Sequence, residues 1–146
     1  MKKKNEITFV FDSCSENESL ARTVMAAFIA RMDPTLEELS DVKTAVSEAV
    51  TNAIIHGYEG GEGKITIHSQ IEGNIVRIEV SDKGVGIPDI DKAMEPLYTT
   101  KPEMERSGMG FALMEAFMDE LEVISSEGEG TTVSMRKTIY SALNLS

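Results

Sequence analysis

Two alternating runs with a short turn between them limit how this chain can fold. Ile65, Ile67, Ser69 and Ile71 share one parity, Glu72-Gly73-Asn74 turns the chain, and Val76, Ile78 and Val80 resume the alternation. Period-two patterning on both sides of a tight turn predicts a β-hairpin with one apolar face. That face must be covered by another layer. Asp82 continues the parity of Val76, Ile78 and Val80, so a carboxylate is expected on the apolar side. A buried, unpaired charge is expensive, and this one calls for a hydrogen-bond donor.

The flanking sequence supplies the covering layer. Ile7, Phe9 and Phe11 alternate and predict a first strand. Ser15-Glu16-Asn17-Glu18 has the form of a capping box and should open a helix, along which Leu20, Val24, Phe28 and Met32 recur at helical spacing. Asp33-Pro34 breaks it. Thr35-Leu36-Glu37-Glu38 is a second capping box, and the helix it opens carries Leu39, Val42, Val46, Ala49, Val50 and Ala53 before ending at Gly57. Pro88 to Arg106 has no clean period and reads as a mobile loop with one short helical piece. Phe111 to Met118 reads as a helix, and Leu121 to Ser126 and Thr131 to Ile139 as a last hairpin. Strands joined mainly by hairpins predict a mixed, mainly antiparallel sheet with helices on one face, an α+β two-layer sandwich. Residues 1–146 read as a single domain.

Composition narrows the function classes. A chain of 146 residues, 41% of them hydrophobic, can build a core. No apolar run is long enough to span a bilayer, and no signal-peptide apolar region follows the basic Met1-Lys2-Lys3-Lys4-Asn5. Cys14 is the single cysteine, which excludes an internal disulfide and fits a reduced, cytoplasmic setting. A formal net charge of -11 argues against nucleic acid as a partner, because phosphate contacts need clustered Lys and Arg. The acids are spread along the chain, as a solubilising surface or as a face for a basic partner.

Three segments carry candidate chemistry. Glu48 and Asn52 stand four apart on one helix face, either as a solvated polar stripe or as a hard-metal site. In the second case the Asn52 amide oxygen suits Mg²⁺, and the Glu48 carboxylate can orient or deprotonate a hydroxyl. Ile55, between them on the wheel, suits a pocket wall better than a solvated stripe. Asp82-Lys83-Gly84-Val85-Gly86 is either a tight turn or a carboxylate for a purine amine, with glycines that let the backbone approach a flat ring. Ser107-Gly108-Met109-Gly110 is either a flexible loop or a phosphate-binding helix start, with Lys101 and Arg106 upstream.

The joint order of Glu48-x-x-x-Asn52, Asp82-x-Gly84-x-Gly86, Gly108-x-Gly110 and Gly130-Thr131 is more specific than any one of them. It resembles the ATP-binding fold shared by type II topoisomerases, Hsp90 chaperones, histidine kinases and mismatch-repair ATPases. Within that group, Ser47 to Tyr58 and Pro96 to Phe111 look like the anti-sigma F factors of spore-forming bacteria, which are serine kinases. The resemblance implies ATP and Mg²⁺, with Asn52 ligating the metal and Glu48 as general base toward an acceptor serine. It implies Asp82 on the adenine amine, Gly84 and Gly86 beside the ring, and Thr131 supporting the adenine end. Thr99, Thr100, Lys101, Arg106, Ser107, Gly108, Met109 and Gly110 would belong to a lid over the phosphates. The implied partners are a sporulation sigma factor (sigma F), an anti-anti-sigma protein as phospho-acceptor and a second copy of the chain. Arg22 on the first helix is a candidate sigma contact. Competing readings are a stress-response anti-sigma kinase, a histidine-kinase catalytic domain and a binding module gated by nucleotide.

Overall fold

A computed structural model describes residues 4–94 and 110–140. The predicted hairpin is the centre of the molecule. Strand β2 (Lys64–Glu72) turns at Gly73, which has positive φ, into β3 (Ile75–Asp82), with Ile71 opposite Val76 and Ile67 opposite Val80. On β2's other side lies β1 (Lys4–Asp12), and beyond β3 come β5 (Gly130–Thr138) and then β4 (Glu120–Ser126). The sheet order is β1-β2-β3-β5-β4 and every one of these pairings is antiparallel.

One face of the sheet is apolar. Ile65, Ile67, Ile71, Val76, Ile78, Val80, Val133 and Met135 are all buried on it, as their parity requires. They pack under α1 (Glu16–Ile29), α2 (Leu36–Asn52) and α4 (Gly110–Phe117), which supply Ala21, Met25, Val42, Val46, Val50, Phe111 and Met114 to the same core. A single turn, α3 (Ile90–Ala93), follows β3. The helices occupy one layer and the sheet the other, so the two-layer α+β expectation holds. The opposite sheet face is polar, with cross-strand pairs such as Arg136–Glu120 at 2.8 Å and Ser81–Thr132 at 3.0 Å.

The helix starts separate two sequences that look alike. At Thr35 the capping box forms in full: the Glu38 N–H donates to Thr35 Oγ1 (3.0 Å) and the Thr35 N–H to Glu38 Oε1 (2.9 Å). At Ser15 it does not, and the expectation is corrected. Ser15 is already helical in φ and ψ and makes no cap bond, while the Glu18 carboxylate is taken by the Ser47 hydroxyl of α2. The buried face of α1 is one position off for the first three expected residues, while Met32 is buried as expected. Ala21, Met25, Ile29 and Met32 are buried, whereas Leu20 is 48% exposed and Val24 and Phe28 are half-buried.

Candidate nucleotide site

Asp82 organises the site. Its place at the inner-face end of β3 buries it to 6% exposure, opposite Thr131 of β5, which is 4% exposed. The Gly84 N–H donates to Asp82 Oδ1 at 2.9 Å, and the Thr131 backbone gives a second hydrogen bond. Burial pushes the Asp82 carboxyl above the usual carboxylate range, against the pull of those two backbone donors. A carboxylate has about four lone-pair positions, so two donors leave room for a ligand amine.

Three glycines pack closely around Asp82 and its neighbours. α2 does not stop at Asn52; it widens into a π turn, Ala53–Gly57, closed by the Tyr58 N–H on the Ala53 carbonyl at 2.9 Å. Such turns accept an extra residue and are frequent at functional sites. This one brings Gly57 onto Asp82: a Cβ there would stand 2.7 Å from the Asp82 Cγ. A Cβ on Gly84 would stand 1.8 Å from the Gly57 carbonyl oxygen, and one on Gly130 2.1 Å from that of Asp82. The turn after β3 is then held at both ends, the Val85 N–H on Gly57 O (2.8 Å) and the Gly128 N–H on Val85 O (2.7 Å). Gly86 takes positive φ against Ser126.

The sequence-predicted residues divide into three groups. Asp82, Gly84, Gly86 and Thr131 come together as one cluster, with Gly57 added to it. Glu48 and Asn52 are half-buried, one turn apart on α2, the helix that runs through the π turn into Gly57. The Asn52 amide oxygen is of the donor type Mg²⁺ takes alongside phosphate oxygens. Gly110 is the first residue of α4, while Thr99, Thr100, Lys101, Arg106, Ser107, Gly108 and Met109 lie outside the described residues. Arg22 stands on α1 beside Glu18 at 3.9 Å.

Two residues of the site escaped the sequence reading. Ser125 accepts from the Ile87 N–H (2.7 Å), donates to the Gly130 carbonyl (3.1 Å), and lies 2.8 Å from Thr131 Oγ1, joining the turn after β3 to β4 and β5. The Tyr58 hydroxyl accepts from the Lys83 N–H (2.7 Å) and donates to the Lys64 carbonyl (2.5 Å). A tyrosine next to a helix-ending glycine was the available signal for the second; nothing in the local pattern marks the first.

This fold and site are those of an ATP-binding, kinase-like domain, and residues 12–137 match the histidine kinase-like ATPase domain family. The crystal structure of the RsbU and RsbW domains of a Mycobacterium tuberculosis protein superposes with a TM-score of 0.67 at 20% identity, over 92% of this chain and 32% of that one. The catalytic domain of the histidine kinase ThkA does so at 0.56 and 20% identity, over 91% and 97%. The anti-sigma F factor of Thermoanaerobacter sp. (strain X514) is 60% identical over 141 residues, 97% of this chain and 99% of that protein. That of Bacillus thuringiensis (strain Al Hakam) is 57% identical over 135 residues, 92% of each. The chain therefore belongs to the histidine kinase-like ATPases and, within them, to the anti-sigma F factor family. Among the described residues no helix is long and apolar enough to cross a membrane.

Proposed function

We propose that residues 1–146 act as one cytoplasmic kinase domain that inhibits the sporulation sigma factor sigma F. On this reading it also uses Mg-ATP to phosphorylate an anti-anti-sigma protein on serine. The observation that carries this reading is the 60% identity to an anti-sigma F factor over 97% of the chain. The buried Asp82 and the glycines around it support the nucleotide part.

The purine amine donates to Asp82, with Gly84 and Gly86 against the ring and Thr131 behind the carboxylate. Glu48 accepts the proton of the acceptor serine hydroxyl. The serine oxygen bonds to the γ-phosphorus as the bond to the β,γ-bridging oxygen breaks, ADP leaves, and the proton stays on Glu48. Mg²⁺, which Asn52 would hold, supplies charge neutralisation on the phosphates. Thr99, Thr100, Lys101, Arg106, Ser107, Gly108, Met109 and Gly110 form the phosphate lid. The chain works as a homodimer through β1 and α1, since β1 is a sheet edge and Val10 on β1 and Leu20 on α1 are exposed. Arg22 contacts sigma.

The test is phosphotransfer from labelled ATP to the anti-anti-sigma protein, followed by acid and base treatment of the product. Acid-stable, base-labile label is expected, and acid-labile label would move the chain to phosphohistidine chemistry. Glu48→Gln should bind ATP and fail to transfer, and full-rate transfer by that variant removes the base role. A monomeric mass at micromolar concentration would end the dimer assignment.

A further inference from the structure

Tyr58 is used by no step of the reaction, yet its hydroxyl is bonded on both sides. It accepts from the Lys83 N–H at 2.7 Å and donates to the Lys64 carbonyl at 2.5 Å. Its ring is pinned as well, because Gly63 lies so close that an added Cβ would stand 2.4 Å from Tyr58 Cε1. The Lys83 amide belongs to the peptide joining Asp82 to the turn. The same turn returns the Gly84 N–H to Asp82 Oδ1. A fixed Lys83 peptide therefore fixes the direction in which the Asp82 side chain leaves the backbone.

We propose that Tyr58 is a positioning residue that sets ATP affinity and purine selectivity by holding the Lys83 peptide, and through it the Asp82 carboxylate. The proposal rests on the reading that Asp82 receives the purine amine. Selectivity follows because a site built to hydrogen-bond one group rejects an analogue lacking it, and a 6-oxo purine has no amine at that position. Tyr58 acts on the Asp82 end of the site through the Lys83 amide, so its loss should act on nucleotide binding and spare transfer. The ring remains in Tyr58→Phe, against Gly63, and only the two hydroxyl bonds go.

The experiment measures ATP and GTP binding and phosphotransfer for the wild-type chain, Tyr58→Phe and Asp82→Asn, together with exchange of the Lys83 amide in the wild type. Tyr58→Phe is expected to raise the KM for ATP about tenfold, leave kcat near the wild-type value, and narrow the ATP-over-GTP preference. In the wild type the Lys83 amide should exchange slowly without nucleotide. Asp82→Asn tests the underlying reading separately: if it binds ATP like the wild type, the purine assignment fails whatever Tyr58 does. If Asp82→Asn loses ATP but Tyr58→Phe keeps wild-type KM and selectivity, the role of Tyr58 is overturned. Rapid Lys83 exchange in the wild-type chain overturns it too, without any variant.

Discussion

Gly57→Ala is the sharpest probe of the site, because it adds one carbon and touches no catalytic group. The new Cβ would lie 2.7 Å from Asp82 Cγ and 2.8 Å from both carboxylate oxygens. Restoring the 3.4 Å of ordinary contact needs a retreat of about 0.7 Å by a buried side chain held by the Gly84 N–H. That retreat stretches or breaks the 2.9 Å bond from the Gly84 N–H. A buried polar bond lost in this way costs about 1–3 kcal/mol. Gly57 ends a helical turn without positive φ, so alanine returns about 0.5–1 kcal/mol through lower backbone entropy in the unfolded chain. Taking the middle of each range, the net loss is about 1 kcal/mol, a fall in Tm of roughly 2–4 °C for a domain of this size. ATP affinity should drop more than the melting temperature suggests, by about tenfold or beyond, because on the proposed reading the displaced group is the one that receives the purine amine. Calorimetric titration with ATP beside thermal melts of the free protein separates the two effects. A variant that melts lower but binds ATP at wild-type affinity would refute the placement of the purine at Asp82. One unchanged in both would refute the Gly57–Asp82 contact itself.

Asp82→Asn should bind ATP poorly and yet melt higher than the wild type at neutral pH, since it removes a charge that burial disfavours. The sign follows from a folded-state pKa above the ordinary 3.8: the unfavourable charge is absent below pH 3.8 and develops as pH rises through the raised value. Melting curves of the two proteins should therefore converge toward acid, and a gap independent of pH would contradict this account. Thr35→Ala removes the acceptor for the Glu38 N–H and should cost about 1 kcal/mol, with transfer activity intact. The matching Ser15→Ala should be nearly neutral in thermal melts, because Ser15 makes no cap bond. Equal losses from the two would put the capping assignment in error.

The alternation of β2 and β3 was enough to place Asp82 on the inner face, because parity is a local property that burial then enforces. The Thr35 helix and the β4–β5 hairpin were legible for the same reason. Long-range competition was not legible. Ser15 and Thr35 carry the same local signal, but the Glu18 carboxylate is taken by the Ser47 hydroxyl, 29 residues away. The π turn was hidden because its sequence, Ala53 to Gly57, reads as ordinary helix; its form follows from the fit of Gly57 against Asp82. Ser125 looked like a plain strand residue because its partners at Ile87 and Gly130 lie on other segments.

Strand β1 is joined to β2 across a long stretch of chain, Asp12 meeting Lys64 over 52 residues, whereas β2–β3 and β4–β5 are neighbours joined by short turns. Closing that wide loop delays the β1 pairing until α1 and α2 are in place, while the hairpins form early. β1 should then be the last strand to join and the first to leave, and amide exchange along it should run faster than along β3. Equal protection in both strands would contradict that order. Because the groups around Asp82 come from α2, β3, β4 and β5, a chain that lets go of β1 keeps its nucleotide pocket whole. On the proposed reading, partners would exchange at the β1 edge on their own clock, without each event releasing the nucleotide.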